Sequence, residues 1–574
     1  RRKRGKIPDP KKRVVINSLV CEGCGDCGEK SFCVAVLPKE TEFGRKREID
    51  QSGCNKDYSC TKGFCPSFVT VHGGELRKGA VRSSKDAIAA RLNDLPLPRF
   101  KSNLEQPWNI LITGVGGTGV VTIGALLGMA GHLEGKGASV LDQTGLAQKG
   151  GAVTTHVRIA KSPDEIHAVR IAAGEADLVL GCDMVVVNDY WALSKIRADR
   201  STVVLNNYEA MPGGFTMHPD MRFPANEIIA AVRTALDGGE PLQIEATAIA
   251  TALFGDAIAA NLFMLGVAWQ QGLVPVSLDA LLRAIELNAA SVEMNKTAFA
   301  WGRLAAIDPD AARVAAGLKV AQGSDAQALA DPAPRKPMAL TQNPIAELPL
   351  DDARLSRNLD DAIARRSAFL VQYQNAAYAN RYRTLVDKVR ATEAAQAGGS
   401  TSLTEAVARY AFKLMAYKDE YEVARLYTSG DFQRRVAQQF EGDYKLRFHL
   451  APPLFSKKDA DGHLIKKEYG PWMLTAFRML ARLRFLRGGM LDIFGRTHER
   501  RTERKLIADY FADIDTLLAG VSPDNLALAV DIASVPERIR GYGHVKEAHL
   551  AQALPQLKAL MQRWRETAAL RKAA

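Results

Sequence analysis

Asn109-Ile-Leu-Ile-Thr113 runs into Gly114-Val-Gly116-Gly117-Thr118-Gly119 and then into an apolar stretch ending at Leu133. The short apolar run reads as a buried strand, the glycines as a tight turn, and the longer run as a helix packed back on the strand. Glycine lets such a turn approach a phosphate, whose charge a helix N-terminus favours. Asn109 to Leu133 is nearly free of charge, which raises the question of a membrane span. Its repeated glycines suit a buried strand–turn–helix instead, and no membrane association is expected.

Strand texture continues downstream. Ala138-Ser-Val-Leu-Asp142, Val153 to Ile159, Leu178-Val-Leu-Gly181 and Thr202-Val-Val-Leu205 are short and aliphatic, with helical patterns between several of them. That alternation predicts a multidomain chain built round an α/β, Rossmann-like sheet. Helices dominate from about Glu227 to Leu304. A second turn, Gly145-Leu-Ala-Gln-Lys149-Gly150-Gly151, sets a lysine on a double glycine, which could hold an anion or simply connect two strands. The candidate cofactor-binding residues are therefore Gly114, Gly116, Gly117, Thr118, Gly119, Lys149, Gly150 and Gly151. Asp142 sits roughly where a ribose-binding acid would. The Gln143-Thr144-Gly145 that follows places it in another glycine-rich turn, so close helix–strand packing outweighs nicotinamide binding.

On the N-terminal side the texture is different. Seven of the eight cysteines fall in the first sixty-five residues: Cys21, Cys24, Cys27, Cys33, Cys54, Cys60 and Cys65. Cys21-Glu-Gly-Cys24-Gly-Asp-Cys27 places three thiols at two-residue intervals on a glycine-rich turn, and Cys65-Pro66 supplies a remote fourth. That is the ligand spacing of a [4Fe-4S] cluster in a ferredoxin-like module. Cys33, Cys54 and Cys60 form a possible second, incomplete set. Cys33 lies six residues after Cys27 and precedes Val34, unlike the four-residue spacing and proline of two-cluster ferredoxins. Zinc and disulfides are the competing readings, and a third cysteine at the same interval is unusual for zinc. Clustered thiols with this spacing favour the cytoplasm. His72 reads as an ordinary polar residue, and Cys182 as a small buried hydrophobe.

The 574 residues suit three or four domains. The divisions expected are an iron–sulfur module at 1–85, a linker at 86–106, the α/β domain at 107–307, an Ala/Pro/Asp-rich linker at 308–350 and a mostly helical domain at 351–574. Within the last, Tyr444 to Leu450, Pro452-Pro453 and Asp459-Ala-Asp-Gly-His463 suggest an extended arm with a turn. Net charge is +12, with basic clusters at Arg1–Arg4, Lys11–Arg13 and Arg496–Lys505. The last is interleaved with acids, and all three read as solvated faces rather than a nucleic-acid footprint. Docking of an acidic electron carrier or of a phosphate-bearing cofactor is the alternative. A chain opening on Arg1-Arg-Lys-Arg4 without Met reads as part of a longer polypeptide.

Specific motifs carry a resemblance. Cys21 to Cys27, Glu42-Phe-Gly-Arg-Lys-Arg47, Cys54-Asn-Lys-Asp-Tyr-Ser-Cys60 and Lys62-Gly-Phe-Cys-Pro-Ser-Phe-Val69 resemble the large fused indolepyruvate ferredoxin oxidoreductases. Gly114 to Gly119 with Leu146 to Gly151 is similar to the gamma-type domain of 2-oxoacid:ferredoxin oxidoreductases. Ile539-Arg-Gly-Tyr-Gly-His-Val-Lys546 resembles the family's terminal domain, where Gly541-Tyr-Gly-His544 is either functional or a helix cap. The resemblance implies oxidative decarboxylation of an arylpyruvate to an acyl-CoA, with coenzyme A as co-substrate and electrons passed singly to ferredoxin. It further implies thiamine diphosphate with Mg2+ as the carrier of the carbanion chemistry, and a homodimer. The Gly-Asp-Gly and Asn-rich pattern that binds thiamine diphosphate is missing here. The thiamine-binding modules are therefore expected before Arg1 or on another chain. The rival readings are an iron–sulfur/NAD(P)H oxidoreductase, a zinc-stabilised nucleic-acid-binding protein and a non-catalytic scaffold.

Overall fold

A computed structural model of the chain describes residues 10–77, 92, 94–117, 119–145, 151–318, 354–452, 456–460 and 462–573. In chain order the strands are β1 (Lys12–Ile16), β2 (Val36–Lys39), β3 (Lys46–Ile49), β4 (Phe68–Leu76), β5 (Trp108–Val115), β6 (Gly137–Thr144), β7 (Ala152–Ala160), β8 (Leu178–Gly181), β9 (Thr202–Asn206), β10 (Leu242–Ile244), β11 (Phe440–Leu450) and β12 (Lys467–Tyr469). Two compact units emerge. One gathers 1–75, 216–219 and 338–574, and the other holds 76–215 and 220–337.

The second unit carries a six-stranded sheet in the order β10-β9-β8-β5-β7-β6. β10, β9, β8 and β5 run parallel, while β7 pairs antiparallel with both β5 and β6. Strand alternation explains its two cores. Ile110, Ile112, Leu178, Leu180 and Val204 face one set of helices, including Val120–Leu133, Ala260–Gln270 and Val292–Ile307. The residues between them, Leu111, Val179, Val203 and Leu205, face the other side with Ile228 and Val232 of the helix Ala225–Ala235. The mixed α/β class expected from sequence is present. β7 inserts between β5 and β6, so β6 lies at the sheet edge rather than beside β5. The nearly uncharged stretch 109–133 is β5 plus a helix, and among the described residues no helix is long and apolar enough to cross a membrane. The expected linker from 308 starts as the helix Pro309–Ala315, capped by Asp308; residues 319–353 lie outside the described residues.

The first unit joins the two ends of the chain in a four-stranded sheet, β1-β4-β11-β12. β1 and β4 flank the cysteines; β11 and β12 are the arm expected from Tyr444 onward. The turn of the arm is closed by the Lys458–Leu464 bridge and the Gly462 N–H to Asp459 carbonyl bond. Helices make up most of the rest. Side-chain caps start several of them: Asn358 accepts from Asp361 N–H, Asn375 from Tyr378 N–H, and Asp419 from Glu422 N–H. The buried aromatic residues Tyr373, Tyr382, Tyr421 and Tyr427 fill the core between them.

Candidate cysteine centre and glycine-rich edge

Cys21 and Cys24 stand between β1 and β2 on a loop that leads into the short helix Asp26–Ser31, which carries Cys27. Gly23 and Gly25 take left-handed φ values of 68° and 88°, which lets three thiols turn to one side. A Cβ on Gly23 would lie 2.2 Å from the Arg45 carbonyl oxygen. The loop before β4 comes alongside because Asp26 accepts the Phe64 N–H at 2.6 Å, and because Gly63 has no side chain where Cys27 lies. Cys65 thereby joins the other three. Cys21, Cys24, Cys27 and Cys65 line one cavity, with Arg47, Phe64 and Phe68 among the other walls.

The sulfurs sit in a polar, crowded setting. Gly23 N–H points at Cys21 Sγ at 3.3 Å, and Cys65 Sγ is 2.9 Å from Ser67 Oγ. Burial pushes the Cys24, Cys27 and Cys65 thiols up. Cys65 adds to the rise at Cys24 and Cys27, while Arg47 opposes it at Cys27 and Lys466 at Cys65. Four thiolates in this space need positive charge among them, which a bound metal centre supplies. Among the described residues, no group of three or more His, Cys, Asp or Glu side chains is set as the ligands of a metal ion. The four cysteines surround a space.

Cys33, Cys54 and Cys60 also approach one another. The Cys60 thiol is pushed up to about 12 by burial and then by Cys33 and Cys54. Lys56 N–H lies 3.4 Å from Cys54 Sγ. His72 pairs with Thr70 at 3.1 Å and Glu468 at 3.4 Å within the sheet. Cys182 is buried in the α/β core, as expected, and burial pushes its thiol up. No disulfide joins any of the eight cysteines.

Residues hundreds of positions away brace the cysteine loops through their backbone, and no motif marks most of them. Lys466 donates to the carbonyls of Thr61 at 2.9 Å and Gly63 at 2.6 Å. Tyr427 donates to the Pro66 carbonyl at 2.6 Å, and Lys418 to the Cys21 carbonyl at 3.2 Å. Burial pushes Glu22 up, but Lys418, Lys46 and Lys546 outweigh it and hold its carboxyl down at about 2. The Gly541-Tyr-Gly-His544 motif lies on the cysteine loop. Tyr542 donates to the Val20 carbonyl, a Cβ on Gly541 would meet Cys24 Cβ at 3.5 Å, and the His544 ring packs on Phe64. The basic stretch 496–505 is only partly a solvated face. Arg500 is buried, bonded to Glu503 at 2.6 Å and Glu420 at 3.3 Å, because the interleaved acids turn inward with it.

In the other unit, Gly116 N–H bonds the Gly151 carbonyl at 2.7 Å, which joins the two glycine turns where β5 ends and β7 begins. Gly119, with φ 105°, precedes the helix Val120–Leu133. Gly114 packs that helix on β5: a Cβ there would lie 2.5 Å from Val120 Cγ2. Thr118, Lys149 and Gly150 lie outside the described residues. Asp142 falls within β6 and accepts from Thr155 Oγ1 at 2.6 Å.

Residues 109–305 match the family described as pyruvate ferredoxin/flavodoxin oxidoreductase, and residues 359–559 match a family of unknown function, DUF6537. The chain is 29% identical over 197 residues to the indolepyruvate oxidoreductase subunit IorB of Methanothermobacter thermautotrophicus, covering 34% of this chain and 95% of the relative. It is 28% identical over 203 residues to the same subunit of Pyrococcus horikoshii, covering 35% and 96%. Among solved structures it resembles the pyruvate oxidoreductase subunit PORC of Thermotoga maritima, with TM-score 0.26 and 20% identity over 35% of this chain and 96% of that one.

Proposed function

We propose that this chain, whose residues 109–305 are the gamma-type region of an indolepyruvate oxidoreductase-type protein, is the electron-output portion of a 2-oxoacid:ferredoxin oxidoreductase. One observation carries the reading: four cysteines from two separate stretches line a single cavity. Cys21, Cys24, Cys27 and Cys65 would hold a [4Fe-4S] cluster there. When bound, such a cluster takes and releases one electron at a time. A zinc site draws four ligands to ~2.3 Å of one atom, whereas the thiols of a cluster stand round a larger core. The chain's own part is to bury the sulfurs, aim the Gly23 N–H at one of them, and set Arg47 and Lys466 close enough to temper the negative charge. Cys33, Cys54 and Cys60 would serve a second, incomplete set.

The relatives are named as subunits, which supports partner modules for this chain. Thiamine diphosphate with Mg2+ would reside on those modules, and the glycine-rich edge would face a phosphate-bearing cofactor. The enzyme so assembled would act as a dimer in the cytoplasm, decarboxylating an arylpyruvate to an acyl-CoA and reducing ferredoxin. Anaerobic purification tests the central claim. Brown protein containing iron and sulfide, bleached by dithionite with a paramagnetic signal, is the expected result. A colourless, zinc-loaded protein would overturn it.

A further inference from the structure

The cysteine region is built twice over. β1, the Cys21–Cys27 loop, the helix Asp26–Ser31 and β2 make one half; β3, the Cys54–Cys60 loop, the helical turn Ser59–Lys62 and β4 make the other. β1 pairs with β4 and β2 with β3, outer strand with outer and inner with inner, as in two halves related by a two-fold axis. The loops match in spacing. Cys54, Asp57 and Cys60 stand at the same intervals as Cys21, Cys24 and Cys27, with aspartate in place of Cys24. The backbone repeats as well. Gly23 and Gly25 have φ of 68° and 88°, and the corresponding Lys56 and Tyr58 have 58° and 62°. Gly23 N–H points at Cys21 Sγ at 3.3 Å, and Lys56 N–H at Cys54 Sγ at 3.4 Å. Residues with side chains rarely take a left-handed backbone, so the second loop holds a shape its local sequence does not favour, as functional loops do. The Tyr58 hydroxyl helps fix it by donating to the Lys12 carbonyl at 3.1 Å.

The fourth ligands are exchanged between the halves. Cys65, which follows the second loop, lines the cavity of the first. Cys33, which follows the first loop, packs on the small core that contains Cys60. Two-cluster ferredoxins exchange a cysteine in this way. Behind burial, Cys33, Cys54 and Asp57 each push the Cys60 thiol up, so the four groups share one space. Like the first set, they are not drawn together as the ligands of a single ion are, and a cluster core is wider. Asp57 is exposed, and its Oδ1 accepts the Ser59 N–H at 3.1 Å and the Ser59 hydroxyl at 2.8 Å.

With clusters on both cysteine sets as the premise, we propose that the Asp57 carboxylate is the fourth ligand of the second set. It completes, with Cys33, Cys54 and Cys60, a four-iron cluster that has one exchangeable iron. Iron–sulfur clusters select soft thiolate donors, and a carboxylate is a hard one, so the iron on exposed Asp57 is held least firmly. A [4Fe-4S]2+ cluster that gives one electron to ferricyanide and releases Fe2+ from the Asp57 oxygen becomes [3Fe-4S]+. Dithionite with added Fe2+ reverses the step. The anaerobically purified full chain should hold about eight iron atoms, two clusters' worth. Ferricyanide should release about one iron per chain and raise the paramagnetic signal of a three-iron cluster. Asp57→Cys should keep its iron and give no such signal, and Cys60→Ala should lose about half of the iron. Iron content unchanged in Cys60→Ala, zinc in the second set, or the same three-iron signal in Asp57→Cys as in the parent would each overturn the proposal. Cys24→Ala keeps the two assignments apart. Iron lost there and not in Cys60→Ala refutes the Asp57 site and leaves the first cavity standing; iron lost in Cys60→Ala and not there does the reverse.

Discussion

Tyr542 reaches across 522 positions of the chain to place its hydroxyl 2.6 Å from the carbonyl oxygen of Val20, the residue before Cys21. Both partners are buried. Tyr542→Phe keeps the ring and strands the carbonyl, at a cost of about 1–3 kcal/mol. Denaturant melts should register that loss. If the cysteines hold a cluster, the same variant should also surrender iron to a chelator faster, because the loop carrying Cys21 loses its tether. Unchanged stability together with an unchanged rate of iron loss would show that the tether does nothing.

The cysteines themselves separate into expected ligands and a control. Cys24→Ala or Cys65→Ala should remove most of the iron that depends on the four-cysteine cavity. Cys182→Ala should leave the iron content unchanged, since Cys182 packs in the apolar core of the other unit. Iron and sulfide analysis per chain distinguishes these outcomes. Equal iron in all three variants would refute the ligand assignment.

Legibility in the amino-acid sequence follows a physical divide between local and distant interactions. The strands at Ile110, Leu178 and Val203 show themselves as short aliphatic runs, because both faces of that sheet are buried and nearly every residue along it must be apolar. Cys21, Cys24 and Cys27 are legible because their convergence needs only a glycine-rich turn. Cys65 is reachable through its proline. Lys466 and Tyr427 are not, since a lone lysine on an arm and a tyrosine in a helix have no local signature. Only the β4–β11 pairing brings that arm beside the cysteines. The inward turn of Arg500 is equally hidden, because a helix alternating acids and bases looks solvated until its partner helix, carrying Glu420, is known.

That buried network makes a prediction about acid. Burial pushes the Glu503 carboxyl up, but Lys546 and Arg500 outweigh it and hold it below its ordinary range. A carboxylate depressed in the folded state adds stability above the unfolded value near 4.5, and that stability fades as pH falls below it. Glu503→Gln should therefore cost about 3 kcal/mol at pH 7, where it leaves Arg500 and Lys546 short of a partner. The gap between variant and parent should shrink as urea melts are repeated at successively lower pH below 4.5. A gap that stays constant across that range would place the effect in packing rather than charge.

The glycine turn offers a test of the close-packing reading. A methyl group at Gly114 would sit 2.5 Å from Val120 Cγ2 and 3.2 Å from Cys182 Cβ. Val120 is 2% exposed and β-branched, so its side chain has no free rotamer to swing into. Gly114→Ala should then destabilise the α/β unit by about 1–3 kcal/mol, seen as faster hydrogen exchange at the amides of β5. The clash has one principal partner, so removing that partner should relieve it. In the double variant Gly114→Ala, Val120→Ala, the added methyl moves into space the valine vacates. The pair should cost less than the sum of the two single changes, by about 1 kcal/mol or more. Additive costs would mean that glycine is required at position 114 for the backbone or for a ligand, and not for the approach of the helix.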